Sequence, residues 1–159
     1  MGGRKQKDIM LTDLLKEKFI DLELEGKDKH EIIYNLVELI ATSKKLKNKK
    51  TFFKTVMERE RLGSTGIGGG VAIPHAKSKA VGGFILVFAR AEGGIDFGAL
   101  DGEKTHLFFA LASPEEEVGG HLKILAEISR LVKDKFIVEK LKKAKDGKEV
   151  LKIISMHAK

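Results

Sequence analysis

A glycine-rich stretch ending in Pro74-His75 contains the residue types best suited to chemistry. Five glycines occur within the eight positions from Gly63 to Gly70. Glycine lets a chain turn tightly and bring its N–H groups close to a ligand, and successive N–H groups in such a turn suit an oxyanion. We therefore predict an anion-binding loop. The residues predicted to donate hydrogen bonds to a bound phosphate are Thr65, Gly66, Gly68 and Gly70.

Two common nucleotide-binding motifs do not fit this loop. A Walker loop requires Gly-Lys-Ser or Gly-Lys-Thr after its second glycine, and the stretch contains neither. The dinucleotide motif GxGxxG would require glycine at Val71 or at Ile73, depending on its starting point. The segment before the loop also has a helical pattern where that motif expects a strand. A bound nucleotide cofactor is therefore not expected.

His75 ends the apolar strand predicted at residues 71–75, which follows the glycine loop. Pro74 fixes its own φ and restricts Ile73, so the end of this strand should be stiff. A histidine held there, beside an anion-binding turn, could carry a functional imidazole. A structural turn with an ordinary loop histidine fits the same spacing, so the residues alone leave both interpretations open.

His121 is a second candidate. It begins a helix whose apolar residues Leu125, Ile128 and Val132 follow at offsets of 4, 7 and 11, all on one stripe. The side chain should therefore point toward the sheet, where the helix N-terminus would disfavour protonation of the imidazole. A hydrogen-bonded structural histidine remains the alternative.

The other histidines give no clear signal. His106 opens an apolar strand and fits either a structural or a functional role, and His30 and His157 lie on polar helical stretches. With no cysteine and no third ligand nearby in the sequence, a metal site is not expected.

Composition limits the class of protein. The 159 residues contain no cysteine, which excludes disulfides, thiolate zinc sites and cysteine nucleophiles and favours the cytoplasm. No apolar run approaches the roughly 18 residues needed to span a bilayer. The polar, basic segment Met1–Lys7 does not resemble a signal peptide. We expect a cytoplasmic protein without membrane insertion.

The net charge of +7 suggests nucleic acid as one possible partner. The lysines, however, cluster in a polar link at residues 44–50 and on a C-terminal helix at residues 140–145. With no Trp and a single Tyr, aromatic platforms for stacking bases are scarce. A solvated surface explains the lysines better than a nucleic-acid footprint, although an acidic or phosphorylated partner stays open.

The pattern of elements predicts one α/β domain over residues 10–157, after a basic tail of residues 1–9. Its expected architecture is a mixed central sheet flanked by helices on both sides, because apolar strand runs alternate with amphipathic helices. The predicted helices cover residues 12–18, 28–43, 48–61, 120–133, 136–143 and 148–157. The predicted strands cover residues 20–25, 71–75, 84–91 and 106–112.

The order of several motifs resembles the IIA domain of the bacterial phosphoenolpyruvate-dependent sugar phosphotransferase system, of the fructose/mannitol type, a family that includes nitrogen-regulatory IIA proteins. The resemblance covers residues 10–154. Its most specific parts are Arg59-Glu60, Ser64-Thr65-Gly66-Ile67-Gly68 and Gly70-Val71-Ala72-Ile73-Pro74-His75. Later matches are Ile95-Asp96-Phe97, Asp101-Gly102, His121-Leu122 and Leu125-Ala126.

This resemblance implies a role for each matching residue. His75 would carry the phosphoryl group, with Nε2 favoured as the phosphorylated nitrogen. His121 would be the second active-site histidine, and Arg59 would be the arginine near the phosphate. No metal or other cofactor is implied.

The resemblance also implies partners. His75 would receive a phosphoryl group from phosphohistidine HPr and pass it to a IIB component, which must be a separate chain if it is of the cysteine type. Three hypotheses remain: a phosphocarrier for sugar uptake, a regulatory phosphoprotein with the same site, and a basic nucleic-acid-binding module. The sequence leaves the sugar and the oligomeric state open.

Overall fold

The computed structural model describes residues 10–157, so the predicted basic tail at residues 1–9 lies outside the described part of the chain. The first elements are shorter than predicted: helix α1 spans Leu11–Leu14, a 3₁₀ turn spans Glu17–Phe19, and strand β1 spans Ile20–Asp21. Leu15 and Lys16 have extended backbones, which ends the helix early. Strand β1 is short because it pairs only with Phe88 and Ala89.

Two long helices follow close to their predicted positions. Helix α2 spans Lys29–Ile40 and helix α3 spans Lys49–Arg61. The carboxylate of Asp28 accepts a hydrogen bond from the N–H of Glu31, and the amide oxygen of Asn48 accepts one from the N–H of Thr51. These side chains bind N–H groups that the first turn of a helix leaves unpaired, which fixes both starting points.

The predicted mixed sheet is confirmed. Its strands after β1 are β2 at Gly66–Gly68, β3 at Val71–Ala72, β4 at His75–Ser78, β5 at Ile85–Ile95 and β6 at Thr105–Pro114. The spatial order is β1-β5-β6-β3-β2, with β4 also pairing with β6. The β5–β6 and β2–β3 pairs are antiparallel, whereas β1–β5, β3–β6 and β4–β6 are parallel.

The strand predicted over residues 71–75 is instead two short strands, β3 and β4, which pair with β6 one after the other. The break falls at Ile73-Pro74, because proline has no N–H to donate to the ladder. The Pro74 carbonyl still accepts a bond from the N–H of Leu111 at 3.0 Å. Part of the predicted loop also forms β2, which pairs with β3.

Helices α4 at Val118–Val132, α5 at Lys135–Lys143 and α6 at Gly147–His157 complete the domain. The two faces of β6 show that helices lie on both sides of the sheet, as predicted. Ala110 faces a small cavity shared with Ile33 of α2 and Phe52 of α3. Ser113, on the opposite face by strand alternation, contacts His121 of α4.

Candidate functional site

His75 is the first residue of β4 and is partly buried. Its Nδ1 lies 2.7 Å from the carbonyl oxygen of Ile73. Because a carbonyl can only accept a hydrogen bond, Nδ1 carries the proton in the neutral ring, and Nε2 carries the lone pair. The turn at Ile73-Pro74 therefore sets the tautomer of the histidine that follows it.

His121 lies in the first turn of α4 and is 3% exposed. Its Nδ1 lies 2.7 Å from Oγ of Ser113 at the end of β6. The centroids of the His75 and His121 rings are 5.4 Å apart. The prediction that His121 points toward the sheet is thus correct, and its ring lies beside that of His75.

Arg59 completes the set of predicted catalytic residues in one place. A cleft of about 320 Å³ is lined by His75, His121 and Arg59 together. Arg59 lies in the last turn of α3, where its Nη1 donates to the carbonyl oxygen of Gly63 at 2.8 Å. The cleft is also lined by Thr55, Ala76, Lys77, Glu115, Leu122 and Leu125.

Burial and neighbouring positive charge keep both histidines neutral near pH 7. Burial is the largest cause that lowers the pKa of His75, with Arg59 and Lys77 adding to it, whereas the Ile73 carbonyl and Glu60 oppose the shift. Burial, His75 and Lys77 lower the pKa of His121 to about 4. The sequence predicted this direction from the helix N-terminus, but desolvation is the main cause.

The glycine-loop residues that the sequence predicts to bind phosphate have other contacts in this structure. Thr65, Gly66, Gly68 and Gly70 are not among the residues that line the cleft. The buried hydroxyl of Thr65 donates to Glu60 at 2.7 Å, and the N–H of Gly66 donates to Ser64 Oγ at 3.0 Å. The carbonyl of Gly70 accepts bonds from the N–H groups of His106 and Leu107. These contacts therefore fix the shape of the loop and hold it against α3 and β6.

Sequence reasoning missed Lys77 and Ser113. Lys77 follows His75 by two residues on the same strand, so the period-2 alternation of a strand could have placed both on one face. Ser113 gave no local signal, because its contact with His121 arises only when α4 packs against β6.

The described residues include neither a metal-binding cluster nor a membrane-spanning helix. No three His, Asp or Glu side chains among residues 10–157 come together in a way that could hold a metal ion. No helix in this range is both long enough and apolar enough to cross a bilayer.

Comparison with known proteins adds a family to this geometry. Residues 13–157 match the family model for the phosphoenolpyruvate-dependent sugar phosphotransferase system, EIIA 2. The fructose-specific EIIABC component of the phosphotransferase system from Bacillus subtilis is 34% identical over 94% of this chain, which spans 24% of that protein. A nitrogen regulatory protein from Bradyrhizobium diazoefficiens is 35% identical over 92% of this chain and 95% of its own length.

A solved structure has the same fold. The crystal structure of the nitrogen regulatory protein IIA-Ntr from Neisseria meningitidis superimposes with a TM-score of 0.85 at 30% identity. The alignment covers 91% of this chain and 98% of that one.

Proposed function

The chain belongs to the EIIA 2 family of the phosphoenolpyruvate-dependent sugar phosphotransferase system, and we propose that it is a phosphocarrier with His75 as its phosphorylated residue. The donor is phosphohistidine HPr, and the acceptor is a IIB component for sugar uptake. One observation carries the proposal: Nδ1 of His75 bonds to Ile73 at 2.7 Å, which leaves the Nε2 lone pair as the nucleophile in a cationic cleft. A reaction with HPr would take place in the cytoplasm.

The transfer needs no strong base. Because burial lowers the pKa of His75, its ring is neutral at pH 7 and Nε2 can attack phosphorus directly. The new N–P bond forms at Nε2 as the N–P bond to the donor breaks, and the electron pair of that bond returns to the donor imidazole. The proton stays on Nδ1, which keeps donating its hydrogen bond to the Ile73 carbonyl.

Cations lining the cleft supply the electrostatic stabilisation. A phosphoryl group in transfer carries negative charge on its equatorial oxygens, so catalysis depends mostly on positioning and on nearby positive charge. The guanidinium of Arg59 and the ammonium of Lys77 both act on His75 electrostatically. His121, whose ring neighbours His75, would hydrogen-bond the phosphoryl oxygens or orient the His75 ring.

A regulatory role for the same site is the second candidate. Similarity does not separate the two roles, because the chain is 34% identical to a fructose-specific component and 35% identical to a nitrogen regulatory protein. In the regulatory case, the phosphorylation state of His75 would control a bound protein, and no sugar would be phosphorylated downstream.

The direct test is phosphorylation with phosphoenolpyruvate, the first enzyme of the system and HPr. We expect one acid-labile phosphate on the wild-type chain and none on His75→Ala. His157→Ala is the matched control, because His157 is an exposed histidine at the end of α6. Labelling that persists in His75→Ala would refute the assignment.

Transfer of the phosphoryl group from His75 to a IIB component tests the role of His121 and separates sugar uptake from regulation. His121→Ala should still accept phosphate but pass it slowly to a IIB component, and unchanged transfer would contradict its assigned role. If phosphorylated wild-type chain transfers to no IIB component but binds a protein only in one phosphorylation state, the regulatory function replaces sugar uptake.

A further inference from the structure

Glu60 is a buried carboxylate next to Arg59 that the proposed transfer does not use. It is 6% exposed and lies in the last turn of α3. A buried carboxylate is costly unless it is paired and hydrogen-bonded. Oε2 of Glu60 accepts bonds from Lys29 Nζ and from the N–H of Thr65, both at 2.8 Å, and Oε1 accepts one from Thr65 Oγ1 at 2.7 Å. The carboxylate therefore joins α2, α3 and the start of the glycine loop.

From Thr65 a line of hydrogen bonds continues to the reacting histidine. The carbonyl of Thr65 accepts a bond from the N–H of Ile73 at 2.9 Å. The carbonyl of that same Ile73 accepts the bond from His75 Nδ1 at 2.7 Å. Ile73 is 4% exposed and precedes a proline that restricts its backbone. The carbonyl that sets the tautomer of His75 is thus held from the Glu60 side.

A second line of bonds runs from Glu60 to the guanidinium. Arg59 Nη1 donates to the carbonyl of Gly63 at 2.8 Å. The turn that presents this carbonyl is closed by a bond from the Gly63 N–H to the Glu60 carbonyl and by a bond from the Thr65 N–H to the Glu60 carboxylate. The same carboxylate therefore supports the site that Arg59 contacts.

We propose that Glu60 is a positioning residue: through Thr65 and Ile73 its carboxylate holds the carbonyl that fixes the tautomer of His75, and through the Gly63 turn it orients Arg59. This inference rests on the proposed function of His75 as the phosphoryl acceptor. It also gives Thr65 a role in place of the phosphate contact that the sequence suggested.

The electrostatic effect of Glu60 on the His75 pKa can be told apart from its positioning role. The carboxylate of Glu60 raises the pKa of His75, whereas burial, Arg59 and Lys77 lower it. Removing the carboxylate therefore lowers that pKa further, and His75 stays neutral at pH 7. A slower transfer in a Glu60 variant would report altered geometry, since the supply of neutral nucleophile does not fall.

The test compares Glu60→Gln with a pair of variants at its partner, Thr65→Val and Thr65→Ser. In Glu60→Gln, the side-chain NH₂ group faces donors that bond to a carboxylate in the wild type. Thr65→Val removes the hydroxyl without changing the side-chain shape, and Thr65→Ser keeps the hydroxyl. We expect Glu60→Gln and Thr65→Val to accept phosphate from phospho-HPr roughly 10- to 100-fold more slowly, as small misplacements of reacting groups do. Thr65→Ser should retain most of the rate.

A readout independent of transfer is the tautomer of His75, measured by imidazole ¹⁵N NMR on the unphosphorylated chain at a pH where the ring is neutral. We expect a single Nδ1–H form in the wild type and a mixture of tautomers in Glu60→Gln. Glu38→Gln is the control for losing an acidic partner of a lysine, because Glu38 pairs with Lys49 on the surface. It should change neither the tautomer nor the rate.

Each outcome decides the proposal. An unchanged rate, or a slow rate with an unchanged tautomer, would overturn it. If Glu60→Gln fails to fold, the Thr65 pair decides: equal rates for valine and serine would overturn the proposal, and a loss confined to valine would support it. If the wild type accepts no phosphate, the proposed function fails, while the tautomer comparison still tests the positioning role.

Discussion

At the scale of single residues, one set of positive charges has two effects in the cleft. Burial is the main cause that lowers the pKa values of His75 and His121, and Lys77 adds to both shifts. A second proton on either ring would add positive charge beside Lys77 and, for His75, also beside Arg59, a repulsion that Glu60 only partly offsets at His75. A phosphoryl group brings negative charge, so the cations that add to these shifts would also stabilise the group that His75 is proposed to receive.

The low pKa of His121 predicts a pH-dependent loss of stability. The unfolded chain binds a proton on this histidine below its ordinary pKa of 6.5, whereas the folded chain binds it only below about 4. Between these values, a falling pH favours the unfolded state, by roughly 3 kcal/mol in total. Above pH 6.5 this contribution is fully present.

Urea unfolding across this pH range checks the prediction. The free energy of unfolding of the wild type should fall more steeply with decreasing pH than that of His121→Gln, whose amide can still bond to Ser113 but does not titrate. Parallel pH profiles for the two proteins would contradict the low pKa.

At the scale of elements, the position of His121 depends on how closely the first turn of α4 packs, at a glycine, against Phe84. A Cβ atom on Gly120 would lie 2.6 Å from Cζ of Phe84, whereas one on Gly119 would meet no atom within 4 Å. Packing therefore requires glycine at position 120 but not at position 119. Gly120 lets the helix approach the residue that precedes β5, and Gly119 is free to be replaced.

Alanine substitutions should separate these two glycines. Gly119→Ala should raise the free energy of unfolding by about 0.5 kcal/mol, because alanine favours the helix and restricts the unfolded chain. Gly120→Ala should lower it and slow onward phosphoryl transfer, because a Cβ there would overlap the Phe84 ring and we expect the start of the helix, with His121, to shift away from that ring. Thermal unfolding and the transfer assay measure both effects. A stabilised Gly120→Ala with normal transfer would show that Phe84 simply moves aside.

At the scale of the whole molecule, β6 connects the site to the rest of the fold. It pairs with β3, β4 and β5, and its Ser113 contacts His121.

Away from the cleft, Arg90 of β5 binds the end of α5. Its Nη1 donates to the carbonyls of Leu141, Lys142 and Ala144 at 2.9 to 3.1 Å. These carbonyls lie at the end of α5, where helix carbonyls lack partners within the helix.

Replacing Arg90 should therefore reduce stability without altering the chemistry. Arg90→Met keeps much of the apolar length of the side chain but leaves the carbonyls without their charged donor, which should cost about 2 kcal/mol. Denaturant unfolding measures the loss, with Arg130→Met, at an exposed position on α4, as the control. Transfer by the folded variant should be normal. A stability equal to that of the control would show that water replaces the guanidinium at no cost.

The sequence by itself predicted the long helices and the long buried strands, and it proposed three catalytic residues that the structure brings to one cleft. Helices α2 and α3 follow from apolar spacing and from the capping residues Asp28 and Asn48, which act within one turn of the chain. The long strands β5 and β6 follow from apolar runs. The motif around His75 pointed to a phosphotransferase IIA domain, and the match over residues 13–157 confirms that family.

Tertiary structure decided what those residues contact. The local sequence of the glycine loop predicts an anion site, and the fold gives the Thr65 hydroxyl, the Gly66 N–H and the Gly70 carbonyl partners in Glu60, Ser64 and β6. The nearness of Arg59 and His121 to His75 depends on how α3, β4 and α4 pack. Hydrogen-bond partners far apart in the chain are set by that packing, and spacing along the sequence carries no information about them.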